Sequence, residues 1–456
     1  MNDRQQDRPV AAPRLPGRPP RRLNRLRSIR YWPLAVAEVV IAIVLGLTLP
    51  DIEAGLRLRD WLDYDASTAQ TTLAAIAGGM ITLTGFVLTA VTLMVQTVQG
   101  QSSRLLQALN RTDRTPLLFG TFAATFTYAL LVLSVVHGDD VPGISVTVAL
   151  LMVLVCTAMF LRLLVTFRTT LTVVGLTTMI GHDLRELVDV MYPAAFGSAD
   201  CDLPAQDLPA QDLPAPRTQP TQPKQPKQPE EPPAWTVRHA GEPGVFQSFN
   251  ELRSVRTAGK FGATIRFVPA VGDFVVTGAV LATGTGERTC VRAVRGLVRV
   301  GAVRTLEQDP AYGLRMLVDI AIRALSPAVN DPTSAIQALD QIDDVLTRLA
   351  GRSLGDGRLH DESGRVVVSY PAPTWDAFLS LGIDEILLYG SGSLQITRRL
   401  RALLDDLRAV TPPARWPAID VKLAALRRAV RRAFPDKDDE AEATRPDRQG
   451  IGSPRR

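Results

Sequence analysis

The sequence is poor in the residues that build metal sites and covalent cross-links. It has three cysteines and four histidines in 456 residues, and the histidines, His137, His182, His239 and His360, are scattered along the chain. No two cysteines have the spacing of a metal site, and no disulfide framework can be read from them. We therefore expect neither a metal ion nor a cofactor.

Lysine is scarce as well, because arginine carries most of the basic charge. Lysine occurs only at positions 224, 227, 260, 422 and 437, whereas nine arginines lie in residues 1–30. A basic tail could bind nucleic acid, but this one directly precedes an apolar segment. Attraction to an anionic membrane leaflet, worth about 1 kcal/mol per residue, is the simpler interpretation. We predict a disordered tail over residues 1–30 and no nucleic-acid partner.

What the sequence has in abundance is long apolar runs in its first third. They cover residues 32–49, 71–95, 117–136 and 144–165. At about 1.5 Å per residue, each can cross a hydrocarbon core of about 30 Å as a helix. Runs this apolar predict helices, because lipid leaves no other way to satisfy the backbone. The sequence thus predicts an all-α bundle of four transmembrane helices over residues 31–166, with the lipid bilayer as its partner.

The charges that flank these runs predict the topology. Basic residues precede the first run, and Arg104, Arg111 and Arg114 follow the second, whereas the other two connections are acidic. Cytoplasmic loops carry the excess of arginine and lysine. The pattern predicts a multi-pass membrane protein with both termini in the cytoplasm.

The rest of the chain divides by composition. We predict an amphipathic helix at 167–196, a Pro/Gln-rich linker at 197–233, a cytoplasmic α+β domain at 234–435 and a disordered tail at 436–456. Within the domain, β-like segments and a Gly-Asp turn come first, which favours a small β-barrel or sandwich-like part followed by a helical part. Asp309 and Asp331 each precede a proline, which predicts two helix starts. Helices are expected near 310–325, 332–350, 375–389, 392–409 and 416–433.

The second apolar run carries small and polar residues at spacings of four and three. They are Gly78, Thr82, Gly85, Thr89, Thr92, Gln96 and Gln99. Such spacing places them on one helix face. In lipid, small and hydroxyl residues mark the faces where helices pack, so a tight seam inside the bundle is the first interpretation. A water-lined path with glutamines at its cytoplasmic mouth is the second. Thr121, Thr125 and Tyr128 form a shorter matching face in the third run.

One carboxylate lies within an apolar run. Glu38 lies about two turns from the cytoplasmic end of the first run, and Arg162 lies at a similar depth in the fourth. An ionised group in lipid costs some kcal/mol unless it is paired or wetted. We predict a Glu38–Arg162 pair, and independent snorkelling of both side chains to the interface is the alternative.

The C-terminal half has one dense polar stretch. Its candidate residues are Arg304, Gln308, Asp309, Asp319, Arg323, Ser326, Asn330 and Asp331. Helix caps and pairing of Arg315, Asp319 and Arg323 at i,i+4 explain most of them. A surface for a ligand or partner is the second interpretation and catalysis the third, since this region has no nucleophile elbow, phosphate loop or zinc-ligand spacing.

Several segments resemble the DUF2254 family of predicted bacterial membrane proteins. The resemblance lies in residues 301–305, 308–309, 312–313, 317–321 and 323–333, and in the membrane half in residues 95–104 and 126–133. The chain departs from the family in having Ser102-Ser103-Arg104 where Ser-Pro-Arg is usual, and in its Pro/Gln-rich linker. The family has no established activity, so the resemblance implies topology rather than function.

Three classes of function follow from these patterns. The first is a non-enzymatic, self-associating membrane protein whose cytoplasmic domain binds an unknown partner or ligand. The second is an oligomeric channel or transporter that uses the second-run seam as its path. A membrane-bound enzyme is the least favoured, because no catalytic motif was found.

Overall fold

The computed structural model describes residues 25–55, 64–101, 115–136, 141–170, 172–197 and 233–450. The chain divides into two compact units, one over Arg21–Ile180 and one that begins at Gly181. The predicted disordered tail at 1–30 and the linker at 197–233 lie almost wholly outside the described residues. At their edges, residues 25–30 are helical, and Gly197 and Pro233 are described.

Four apolar helices make up the first unit. They are α1 (Arg25–Gly55), α2 (Ala66–Gln101), α3 (Thr115–Val135) and α4 (Gly143–Thr170). Each contains a stretch that is long and apolar enough to cross a membrane: Tyr31–Glu53, Ala66–Leu93, Pro116–Val135 and Gly143–Val165. The expectation of four apolar helices is therefore confirmed.

Helix α3 is the centre of this unit. It contacts α1, α2 and α4, and its Phe122, Tyr128 and Val132 are fully buried. Small residues bring α1 and α3 together. A Cβ on Gly120 would lie 2.7 Å from the Cα of Ala35, so only glycine fits at this crossing. Close packing of this kind drives helix association where the solvent is itself apolar.

Glu53, at the end of α1, caps another helix. Its carboxylate is buried and accepts hydrogen bonds from the backbone N–H of Ile144 at 2.7 Å and of Ser145 at 3.2 Å. The hydroxyl of Ser145 donates to the same carboxylate at 3.1 Å. The first N–H groups of α4 lack partners within their own helix, and the positive end of the helix dipole favours an anion there.

Replacing Glu53 should therefore weaken the bundle. Glu53→Ala leaves buried N–H groups without an acceptor, which costs about 1–3 kcal/mol. We expect Glu53→Ala to lower the midpoint of thermal unfolding of the detergent-solubilised protein. Glu53→Gln should have a midpoint between those of the wild type and Glu53→Ala, because its amide oxygen still accepts a hydrogen bond. Asp51→Ala is the control, since Asp51 lies exposed on the same helix. Equal midpoints for Glu53→Ala and Asp51→Ala would contradict the capping role.

The second unit begins inside helix α5 (Val173–Met191). Arg185 donates to Asp344 at 2.9 Å and to Gln341 at 3.0 Å, and Asp189 accepts from Arg348 at 3.0 Å and Arg352 at 2.8 Å. This places the domain boundary well before residue 234, where the composition shift had placed it. Sequence composition missed it because the Pro/Gln-rich linker interrupts the unit rather than preceding it.

Eight strands of the described residues form two open sheets. They are β1 (Trp235–Arg238), β2 (Gly244–Phe249), β3 (Thr264–Phe267), β4 (Phe274–Val275), β5 (Val280–Thr285), β6 (Val298–Gly301), β7 (Arg358–His360) and β8 (Val366–Ser369). One sheet has the order β1-β5-β3-β8-β7, with β3 and β8 parallel, and the other the order β4-β2-β6. The α+β expectation is confirmed, but the barrel alternative is wrong, because these strands do not close on themselves.

An aromatic core joins the two sheets. The rings of Phe249 and Phe267 lie 4.5 Å apart, those of Phe246 and Phe267 6.3 Å apart, and Tyr370 packs 4.9 Å from Phe249. Two helices cover this core, α6 (Glu251–Lys260) and α7 (Cys290–Arg295). Ring contacts of this geometry add to the free energy of apolar burial.

A helical part completes the second unit. Its helices are α8 (Pro310–Ala324), α9 (Pro332–Ala350), α10 (Trp375–Gly390), α11 (Leu394–Val410), α12 (Trp416–Ala433) and α13 (Lys437–Thr444). The first five agree with the sequence expectation to within two residues. Helix α13 corrects it, because residues 436–450 are ordered rather than disordered. Arg398 binds Glu442, and Arg448 binds Asp406, so ion pairs that a composition argument cannot foresee hold this segment on α11.

Candidate functional site

Asp309 is the buried centre of the predicted polar cluster. Its side chain is 3 % exposed, and it caps α8 by accepting from the backbone N–H of Tyr312 at 2.9 Å. The guanidinium of Arg304 donates to both of its oxygens and lies 5.3 Å from the Tyr312 ring centroid. Burial raises the pKa of the Asp309 carboxyl, and the hydrogen bond from Arg304 acts in the opposite direction. The predicted cap is confirmed.

The Gly-Asp turn makes room for Arg304. Gly272 has a φ of 98°, which favours glycine, and a Cβ there would lie 2.6 Å from Arg304 Nε. Gln308 reaches the sheet, where its side-chain oxygen accepts from the backbone N–H of Phe249 at 3.0 Å. These contacts fasten the start of α8 to the β-part of the unit. The sequence predicted the Gly-Asp turn but not the packing of Arg304 against Gly272.

Asp319 belongs to a second, separate group on α8. Arg315 donates to Asp319 at 2.7 Å and also binds Glu385 of α10, with one contact at 2.9 Å. The i,i+4 pair is confirmed, whereas Glu385 is a partner that sequence spacing could not show. The hydrogen bond from Arg315 lowers the pKa of the Glu385 carboxyl. Arg323 lies exposed in the last turn of α8.

A third group forms the turn between α8 and α9. The backbone N–H of Asn330 donates to the carbonyl of Ser326 at 2.8 Å, and Asn330 has a φ of 47°, a conformation that asparagine tolerates. Asp331 caps α9 by accepting from the backbone N–H of Ser334 at 3.1 Å and from its hydroxyl at 2.6 Å. At about 1.5 Å per residue, this turn lies about 24 Å along α8 from Asp309. The eight residues thus serve three structural groups rather than one pocket.

In the first unit, the polar face of α3 points into the bundle. Thr121 donates to Glu38 at 3.1 Å, Thr125 lies 3.1 Å from the sulfur of Cys156, and Tyr128 donates to a backbone carbonyl of α4 at 3.2 Å. Glu38 therefore has a hydrogen-bond partner on the neighbouring helix. The Glu38–Arg162 pair stays a prediction.

The small-residue seam of α2 points the other way. The described side chains of this seam are exposed, and a Cβ on Gly78 or Gly85 would meet no atom within 4 Å. Thr82 and Thr89 donate to carbonyls one turn back on α2, at 3.1 and 2.9 Å, as does Thr92 at 2.8 Å. Large apolar residues, Leu73, Ile76, Met80 and Val87, fill the buried face instead. The seam is therefore not inside the chain's own bundle as predicted. Gln96 is exposed like the rest, and the side chain of Gln99 lies outside the description.

A groove of about 430 Å³ lies beside helices α9 and α11. Its lining includes Asp340, Asp343, Asp344, Asp406 and Arg448. These carboxylates form ion pairs with arginines. One arginine, Arg399, binds both Asp340 at 2.9 Å and Asp343 at 2.8 Å. Within the described ranges, no group of histidine, cysteine and carboxylate side chains is arranged to hold a metal ion.

Four apolar helices followed by a unit of mixed sheets and helices define a predicted membrane protein with a C-terminal α+β domain. The chain belongs to the DUF2254 family of predicted membrane proteins, whose pattern matches residues 28–406. Uncharacterised proteins of Mycobacterium bovis and Mycobacterium tuberculosis are each 29 % identical to it over 448 residues, which cover 92 % of this chain and 81 % of theirs. No solved structure matches the chain.

Removing Arg304 should destabilise the protein more at neutral than at acid pH. In Arg304→Ala, the buried Asp309 carboxylate loses its cation, at a cost of about 1–3 kcal/mol. Because burial raises the pKa of Asp309 above its ordinary value, the folded state binds this proton at a higher pH than the unfolded chain. The cost is therefore present above the raised pKa and is lost as the pH falls through it.

Thermal midpoints of the detergent-solubilised protein at neutral and mildly acid pH measure this effect. The control is the double variant Arg304→Ala, Asp309→Asn, whose uncharged amide still accepts from Tyr312. The difference between the single and double variants should shrink as the pH falls. A difference that does not change with pH would contradict the ion-pair role.

Proposed function

We propose that this protein is anchored in the bacterial inner membrane by its four-helix unit and binds a ligand or partner through its cytoplasmic C-terminal unit, without chemistry of its own. One observation carries the membrane placement. Large apolar side chains cover the outside of the bundle, such as Leu154 at 64 % and Val165 at 65 % exposure. In water, such a contiguous apolar surface would be a liability.

The polar groups of the bundle support the same placement. Lipid cannot hydrogen-bond, so polar atoms must be satisfied within the protein. The hydroxyl of Thr89 donates a hydrogen bond to a backbone carbonyl of its own helix, and the carboxylate of Glu53 accepts one from a backbone N–H at the start of α4.

The way in which the residues of the polar cluster are used argues against catalysis by this cluster. Asp309 and Asp331 cap helices, and Asp319 pairs within α8 and across to α10 through Arg315. Side chains held in this way have fixed structural partners, whereas a catalytic group needs a position from which it can reach a substrate. The membrane enzyme is accordingly the least supported of the three classes.

Cysteine labelling tests the topology. In a Cys201→Ser background, the remaining Cys156 and Cys290 are buried. Asp139→Cys should react with a membrane-impermeant maleimide in intact spheroplasts, because it lies in an acidic connection. Glu362→Cys, at an exposed position of the C-terminal unit, should react only after lysis. The reverse pattern would overturn the orientation, and reaction of both in intact spheroplasts would overturn the cytoplasmic placement of the C-terminal unit.

Self-association through the outward seam of α2 is the second part of the proposal. Gly78 and Gly85 leave open space beside the helix, which allows a second copy to approach closely. Thr89→Leu should lower the oligomeric mass measured by light scattering in mild detergent. Leu154→Phe, which adds bulk on another exposed face, should leave it unchanged. A monomeric wild type, or a Thr89→Leu protein of unchanged mass, would contradict this part.

The channel is the alternative that the same seam supports, because its exposed hydroxyls and Gln96 form a polar line along α2. Liposome flux distinguishes the two. A Thr89→Leu protein that keeps its oligomeric mass but loses solute flux would favour the channel. A wild type with no flux would favour the anchor.

A further inference from the structure

The two short helices that cover the aromatic core carry a concentration of basic side chains. These are Arg253, Arg256 and Lys260 on α6, and Arg292 and Arg295 on α7. All five are exposed, and the only other exposed residue of the two helices is Gly259. Every solvent-facing position on α6 and α7 is therefore arginine, lysine or glycine.

The geometry of the helices places these cations on one surface. On α6, the buried residues are Ser254 and Ala258. At about 100° per residue, Arg253, Arg256 and Lys260 fall within an arc of about 60° on the opposite side.

Helix α7 repeats the arrangement. Cys290 and Val294 are its buried residues, and at about 100° per residue Arg292 and Arg295 fall opposite them. The two helices contact each other and pack on the same core. Their five cations form what we call the α6–α7 basic surface.

Little negative charge pairs with this surface, although the exposed Glu287 lies just before α7. Nearby basic residues are engaged elsewhere: Arg299 pairs with Glu307 at 2.6 Å, and Arg288 donates to the carbonyl of Ala234 at 3.0 Å. Among the described residues, by contrast, no carboxylate forms an ion pair with any cation of the α6–α7 basic surface. Burial also raises the pKa of Glu251, the acidic residue of α6.

We propose that the α6–α7 basic surface binds the anionic head groups of the lipid bilayer in which the protein is anchored. Lysine and arginine near an anionic leaflet each contribute a factor of about five in membrane partitioning. The proposal rests on the membrane placement argued above. An anchor on the same chain confines the surface near lipid, so a weak intrinsic affinity is sufficient.

The exposed residues favour lipid over nucleic acid. Sites for single strands interleave cations with aromatic rings on which the bases stack. The exposed positions of α6 and α7 offer cations and one glycine, and the neighbouring ring of Phe261 lies under Lys260, with 5.4 Å from the ammonium to the ring centroid. A surface of cations without stacking rings suits a plane of phosphates.

Nanodiscs holding the full-length protein test the proposal. A fluorophore is attached to Gly259→Cys in the Cys201→Ser background, since a side chain at 259 meets no other atom within 4 Å. The discs contain either phosphatidylcholine alone or phosphatidylcholine with phosphatidylglycerol, and both carry a head-group quencher. We expect severalfold stronger quenching in the anionic discs, and its loss at about 1 M salt, where the Debye length is about 3 Å.

Matched double variants locate the interaction. Arg253→Gln with Arg256→Gln should remove most of the extra quenching that anionic discs give over neutral discs, because each lost arginine lowers membrane partitioning about fivefold. Arg427→Gln with Arg428→Gln, which removes two exposed arginines of α12, should leave it unchanged. Equal thermal midpoints for the two variants show that the fold is intact. Equal quenching in neutral and anionic discs, or an equal loss in both variants, would overturn the proposal.

Three further outcomes separate the possible failures. A protein that is recovered outside the discs refutes the membrane anchor, and this proposal falls with it. A protein that enters the discs without responding to anionic lipid refutes only the basic surface. If a DNA or RNA oligonucleotide binds in neutral discs and the Arg253→Gln, Arg256→Gln variant abolishes that binding in the absence of any lipid response, the surface is a nucleic-acid site instead.

Discussion

The outer surface of the four-helix bundle is the constraint on which the rest of this structure depends. Because that surface is apolar, each buried polar group must find its partner within the protein. Glu53 shows the consequence most clearly, since an anion is buried where the first N–H groups of α4 need an acceptor. The same demand brings Thr121 to Glu38.

In the second unit, arginine side chains are the partners of many carboxylates and backbone carbonyls. Arg304 ties a loop to the cap of α8, Arg399 bridges two aspartates of α9, and Arg415 donates to the carbonyls of Leu349 and Ala350 at the end of the same helix. A planar guanidinium with five donors can hold two or three acceptors at once, which an ammonium cannot do with the same geometry. The preference for arginine over lysine in this chain is thus consistent with its use as a structural clamp.

Local signals in the sequence predict local structure, whereas contacts between residues far apart in the sequence leave no such signal. The caps of α8 and α9 could be predicted because Asp309 and Asp331 act on N–H groups only three residues away. The direction of the α2 seam could not, because helical spacing identifies a face without saying what lies against it. Glu385 and Glu442 lie far in sequence from the arginines that they bind, so no periodicity reveals them.

The Pro/Gln-rich linker illustrates how composition alone can misplace a boundary. A polar, repetitive segment after a membrane bundle suggests a tether between two domains. Yet the residues on both sides of it belong to the same unit, since the backbone N–H of Phe196 donates to the carbonyl of Gly351 at 3.0 Å and Trp235 begins the sheet. The C-terminal unit therefore takes residues from both sides of this segment.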